Sequence, residues 1–162
     1  MKISLLIIIL LFFTVPGSII AQQKDSLGIY SAVLKFDPSR NPEQDLKDAV
    51  VEAQKTNRRI ILDVGGDWCI WCHRIDNFID SVKDVSSLLH SNFVIMKVNF
   101  SPENKNEEFL SHYPKISGYP HFFVLDKKGK LIHSQDTGKL EKGKGYSKEK
   151  FVAFLKKWSI KS

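Results

Sequence analysis

Apolar positions along this chain fall either at helical spacing or in short continuous runs. Leu46, Ala49, Val50 and Ala53 fall at helical spacing after Asn41-Pro42, where Asn41 suits a helix cap and Pro42 the first helical position. Ile60 to Val64 is a short continuous apolar run broken only by Asp63, which predicts a buried strand ended by Gly65-Gly66. Ile70 to Phe78 predicts a second helix, with a break between Ser81 and Asp84 and a further helical turn through Leu89. Phe93 to Phe100 predicts another strand, and Asn106 to His112 a short helix. His121 to Leu125 follows Gly118-Tyr119-Pro120 as a third strand. Lys127-Lys128-Gly129-Lys130 is a turn that brings Leu131 to Ser134 back as a hairpin. Gly138 to Tyr146, rich in Lys and Gly, is expected to be a mobile loop. Ser147 then caps a last helix that buries Phe151, Phe154, Leu155 and Trp158. Tyr30 to Phe36 carries a weak strand pattern.

The order is strand–helix–strand, then strand–strand–helix, which predicts an α/β fold with a central mixed sheet flanked by helices. No internal repeat interrupts it.

The N-terminal segment adds a compartment. Lys2 precedes an apolar run from Ile3 to Val15, and small residues lead to Ala21. These features predict a secretory signal peptide over residues 1–21. The run is short for a membrane span, so membrane attachment follows only if the segment stays uncleaved. Residues 22–40 are expected to be a tether with a first strand, and 41–162 one folded domain. A periplasmic or secreted location follows.

The formal net charge is +6. Twelve lysines face four acids between Pro114 and Ser162. They stand in turns and on the back of a helix without interleaved aromatics, so a solvated face is expected and no nucleic acid is predicted as partner.

Both cysteines lie in Trp68-Cys69-Ile70-Trp71-Cys72-His73. So small a loop constrains the unfolded chain little and makes a poor staple. A C-x-x-C unit that leaves a strand and opens a helix reads instead as a redox centre. Cys69, at the helix N-terminus, is the expected exposed nucleophile, because free N–H groups and the helix dipole favour its thiolate. Cys72, one turn inward, is the expected buried resolving thiol. Four residues after Cys69, His73 is placed to adjust the thiol pKa. A carboxylate at Asp63 inside an apolar strand is costly without a partner or a chemical role.

These residues resemble the thioredoxin family. Leu62-Asp63-Val64-Gly65-Gly66-Asp67-Trp68-Cys69 is similar to its strand leading into Trp-Cys, Lys97-Val98-Asn99 to its next core strand, and Gly118-Tyr119-Pro120 to the loop with its cis-proline. Lys128-Gly129 matches its hairpin turn, and Gly138 its glycine near the site. The match runs from about Pro42 to Trp158. With Trp71 between the cysteines, the chain is closer still to exported bacterial thioredoxin-like proteins related to the C-terminal domain of the transmembrane disulfide reductase. Ile70-Trp71 departs from the usual Gly-Pro, and Gly65-Gly66 replaces bulky residues beside the thiols.

The resemblance implies a thioredoxin fold and a protein-disulfide oxidoreductase, favoured as a reductant. Its partners would be protein disulfides and a redox partner such as a transmembrane reductase. Asp63 would take the Cys72 proton, with Lys97 as its charge partner. A cis Pro120 would lie against the disulfide, and the Tyr119 backbone would pair with an extended substrate. Trp68 and Trp71 would rim the docking surface. The redox-active disulfide itself would serve, with no metal and no other cofactor. Rival readings are a c-type haem carrier attached through Cys69, Cys72 and His73 with Met96 or His112 as ligand, a Cys₂His zinc site, and a non-catalytic interaction domain.

Overall fold

The computed structural model describes residues 32–160. The expected signal peptide and most of the expected tether lie outside the described residues.

Asn41 begins the first helix, α1 (Pro42–Thr56). Its side chain accepts from Glu43 N at 3.0 Å and Gln44 N at 3.1 Å, satisfying two of the donors every helix start leaves free. Asn57, left-handed at φ 52°, closes the helix. Strand β1 (Arg59–Gly65) follows, then α2 (Ile70–Ser81) and α3 (Lys83–Asn92). The break expected at Ser81 to Asp84 shrinks to Val82, whose N–H still reaches Phe78 O while its carbonyl starts the next helix. Strand β2 (Phe93–Asn99), a short α4 (Glu107–Ser111), β3 (His121–Leu125) and β4 (Leu131–Asp136) complete the central sheet region. The last helix, α5 (Lys148–Trp158), is capped by Ser147 as expected.

The strand order is β2-β1-β3-β4. Strands β1 and β2 run parallel, and β3 runs antiparallel to both β1 and β4. Side chains alternate across such a sheet, so each face has its own core. Ile61, Phe122 and Val124 meet α2, α3 and α5 through Ile75, Val85, Phe151 and Leu155. Leu62, Val64, Met96 and Phe123 meet α1 and α4 through Ala49, Ala53 and Phe109.

Two stretches differ from expectation. Gly138 to Tyr146 is folded, not loose: Thr137–Leu140 forms a 3₁₀ turn, and β5 (Glu141–Lys142) pairs with β6 (Gly145–Tyr146). Buried Leu140 and Tyr146 anchor it, an apolar pair outweighed in the sequence by the surrounding lysines and glycines. Among the described residues of the weak first strand, Val33 alone pairs, in a parallel bridge to Met96. Residues 32–40 nevertheless pack on the domain, with Val33 and Phe36 buried. Trp158 is half-buried and stacks on His133 with ring centroids 4.2 Å apart.

Candidate active site

Strand β1 delivers the chain to Gly65-Gly66 at one end of the sheet. Both glycines answer to close approach. A Cβ on Gly65 would stand 2.5 Å from Cys72 Sγ, and one on Gly66 would stand 2.5 Å from Trp68 Nε1 and 2.8 Å from Phe100 O. Cys69 then caps α2. Its Sγ accepts from Cys72 N at 3.2 Å and its carbonyl from Cys72 N and His73 N, so the sulfur sits at the helix's positive end. The two cysteines are joined as a disulfide with Cα atoms 5.2 Å apart.

Cys72 is fully buried, and Cys69 retains 4 % exposure. Cys69 is thus buried where the sequence predicts exposure, because Phe36 clusters with both cysteines and Trp71 and Tyr119 pack against that cluster. Trp68 is 56 % exposed and donates from Nε1 to Phe100 O at 2.6 Å. Its ring meets Tyr119 edge-on at 5.7 Å, and Tyr119 stacks on Phe100 at 4.7 Å. Ile70 beside it is 59 % exposed. Trp71 is half-buried between the Arg74 guanidinium, 4.5 Å above its ring, and Tyr146. The Tyr119–Pro120 peptide bond is cis, and Pro120 O accepts from Thr137 Oγ1 at 2.5 Å.

Asp63 lies two residues before Gly65 and on the same face of β1. It is 3 % exposed. Lys97, its register partner on β2, reaches it at 3.1 Å and also holds Asp76 of α2 at 2.7 and 2.8 Å. The second Asp63 oxygen, Oδ1, has no hydrogen-bond partner. Burial, aided by the Asp76 charge, pushes the Asp63 carboxyl above its ordinary value against the pull of Lys97. Burial would lower the Lys97 ammonium, but the two carboxylates outweigh it and raise it. A cavity of about 240 Å³ runs to this group between Leu34, Ile79, Asp80 and His90.

Lys97 is itself buried. It bridges two carboxylates under α2. Asp76 was not expected from the sequence because it stands among the polar positions of an amphipathic helix; its place at Cys72 plus four was the available signal. His73 is exposed, and its Nε2 lies 2.8 Å from Asp67 O, tying the helix start to the loop before it. Of the two residues offered as haem ligand, Met96 is buried on the face opposite α2 and His112 is exposed. Among the described residues no cluster of three His, Cys, Asp or Glu side chains could hold a metal ion. No helix among them is long and apolar enough to cross a membrane.

Residues 46–158 match the thioredoxin-like domain family. The chain belongs to that family. It is 29 % identical over 94 residues to the thiol:disulfide interchange protein DsbD of Colwellia psychrerythraea, a match covering 57 % of this chain and 15 % of that protein. It is 27 % identical over 76 residues to the disulfide bond reductase DsbH of Chlamydia pneumoniae, covering 42 % of this chain and 45 % of that protein. The chain thus spans less than half the length of either curated relative. Among solved structures it is similar to a disulphide isomerase from Xylella fastidiosa Temecula1, with a TM-score of 0.65, 22 % identity, and coverage of 78 % of this chain and 98 % of that one. That likeness shows the fold. The relatives are disulfide oxidoreductases, and this chain carries the paired cysteines such chemistry needs.

Proposed function

We propose that this protein is a thiol-disulfide oxidoreductase of the cell envelope that reduces protein disulfides. One observation carries the reading: Cys69 caps α2 with Cys72 bonded one turn inward, and β1, the strand that leads to them, carries the buried carboxylate of Asp63 with an unpartnered oxygen. In the reduced protein the Cys69 thiolate attacks a substrate sulfur, forming a mixed disulfide and releasing one substrate thiolate. Asp63 takes the proton of Cys72, with Lys97 balancing the charge. The Cys72 thiolate then attacks Cys69 Sγ. The second substrate thiolate leaves, the Cys69–Cys72 disulfide forms, and the substrate has gained two electrons. The structure corresponds to that oxidised state.

Trp68, Trp71 and the Tyr119–Pro120 loop form the rim on which an extended substrate segment docks, its backbone against Tyr119. His73 supports the thiolate. The redox-active disulfide is the only cofactor in this reading. The direction of flow rests on the resemblance and on the similarity to a protein named as a disulfide bond reductase. A transmembrane reductase that restores the dithiol is the matching partner. The features of residues 1–21 support a periplasmic or secreted site of action.

Insulin-disulfide reduction tests the mechanism. Cys69→Ser abolishes it, and Cys72→Ser accumulates a mixed disulfide through Cys69. Full turnover by Cys72→Ser would remove the dithiol mechanism. The reduction potential of the couple tests the direction. A reductant lies nearer about −270 mV, an oxidant nearer about −120 mV.

A further inference from the structure

The resolving thiol is covered by a residue that comes from outside the four-stranded sheet and its helices. Residues 32–40 cross the open edge of β2. Val33 O accepts from Lys97 N at 2.9 Å, and Val33 bridges Met96. Farther along, Pro38 O accepts from Asn104 Nδ2 at 2.8 Å, and the Arg40 guanidinium is bound by Asp45. Both ends of this strap are held. Between them Leu34 and Lys35 are exposed, Leu34 beside the cavity that runs to Asp63, while Phe36 turns in, leaving 6 % of it exposed.

The Phe36 ring meets three parts of the site at once. It clusters with Cys69 and Cys72. It occupies the space above Gly65, where an added Cβ would lie 3.1 Å from its Cζ and 2.5 Å from Cys72 Sγ. Its face receives the Lys97 ammonium 4.1 Å from the centroid, while that ammonium holds Asp63 and Asp76. A bulky residue at position 65 would exclude both the sulfur and the ring. Gly65 and Phe36 therefore make one unit: the strand gives up its side chain, and the strap supplies one in its place.

We propose that Phe36 is a positioning residue that seals Cys72 from solvent and braces Lys97 between its two carboxylates, so that the resolving thiol is approached only from the Cys69 side. The proposal rests on the dithiol mechanism proposed for this site. Under the strap, Cys72 stays available to the Cys69 mixed disulfide and closed to outside electrophiles.

The test is alkylation of Cys72 by iodoacetamide in the full chain carrying Cys69→Ser, which leaves one thiol. Phe36→Leu, Phe36→Val and Phe36→Ala form a graded series. Alkylation is expected to rise as the side chain shrinks, to about tenfold for Ala and less than about threefold for Leu, at a rate unchanged by low urea, the sign of local rather than global opening. If the Ala form does not fold, the order of parent, Leu and Val decides. Rates within twofold across the series, or rates that climb with urea as global unfolding does, overturn the proposal. The outcome is separable from the proposed function. A parent protein that reduces no disulfide sinks the reductase and leaves the shielding measured, while equal alkylation across the Cys69→Ser series, beside a parent with intact cysteines that reduces disulfides, sinks the shielding alone.

Discussion

Asp63 faces α2 from β1, and His121 faces the α1 side from β3. Each is less than 5 % exposed. They stand one residue apart in register, since His121 pairs with Val64. Yet their burial is resolved in opposite ways. Asp63 has a cation at 3.1 Å, a second carboxylate beyond it, and a cavity leading to the group. His121 has one hydroxyl, Ser134 Oγ at 2.8 Å, and an Nδ1 without a partner. Burial lowers the His121 imidazole below its ordinary value, with Asp136 pulling the other way and His133 adding to the drop. One face keeps its buried group paired with a charge. The other keeps a group neutral. A buried ionisable side chain becomes useful when a partner charge makes both its protonation states tolerable.

The pH signs differ accordingly. Folded Asp63 keeps its proton to higher pH than the unfolded chain does. It therefore costs stability as pH rises from the ordinary carboxylate range through its folded value. For His121 the unfolded chain takes up the proton first as pH falls below about 6.5, so stability is lost from there downward through the folded value.

Removing the partner charge should break the comparison most. Lys97→Met leaves Asp63 and Asp76 facing each other, and the expected loss is about 3 kcal/mol at pH 8 and smaller at pH 5, because burial lets Asp63 take up a proton at higher pH than the unfolded chain does. Urea unfolding at both pH values measures it; equal losses would mean that Asp63 is not the group left exposed. Asp63→Asn keeps the shape and leaves Lys97 paired with Asp76. Folding should hold, while resolution of the mixed disulfide slows by about 100-fold. Rapid-quench trapping of the mixed disulfide reads that rate, and a wild-type rate from pH 6 to 9 removes Asp63 from the chemistry.

His121→Leu sharpens the other side. The parent should lose up to about 1.4 kcal/mol per pH unit on the acid limb from this one proton, and the variant should be flatter there. Parallel stability curves would place the acid sensitivity elsewhere. The smallest effect belongs to exposed His73. His73→Ala should shift the Cys69 thiolate absorbance titration slightly to higher pH and make the couple slightly more reducing. Coincident curves would leave the helix terminus and its N–H groups as the sole support of the thiolate.

Most of the frame was legible along the chain because it rests on local rules. The helical spacing of apolar residues, the short apolar runs of the strands, the Asn41 and Ser147 caps, and the Lys127 to Lys130 turn each involve neighbours in sequence. So does Cys69-x-x-Cys72, whose placement at a strand exit pointed to redox chemistry before any contact was known. Asp63 stood out for the same reason, a lone charge in an apolar run.

What the sequence left open depends on residues far apart meeting. Nothing near Phe36 signals that it will cover Cys72, because the contact exists only once the strap crosses β2. Asp76 looks like any polar helix position until α2 docks over Lys97. The Gly138 to Tyr146 hairpin reads as loose until Leu140 and Tyr146 find the α2–α5 core. Local propensity decides where helices and strands form. The tertiary structure decides which side chains share a cavity, and so which carboxylate, cation and ring surround the disulfide.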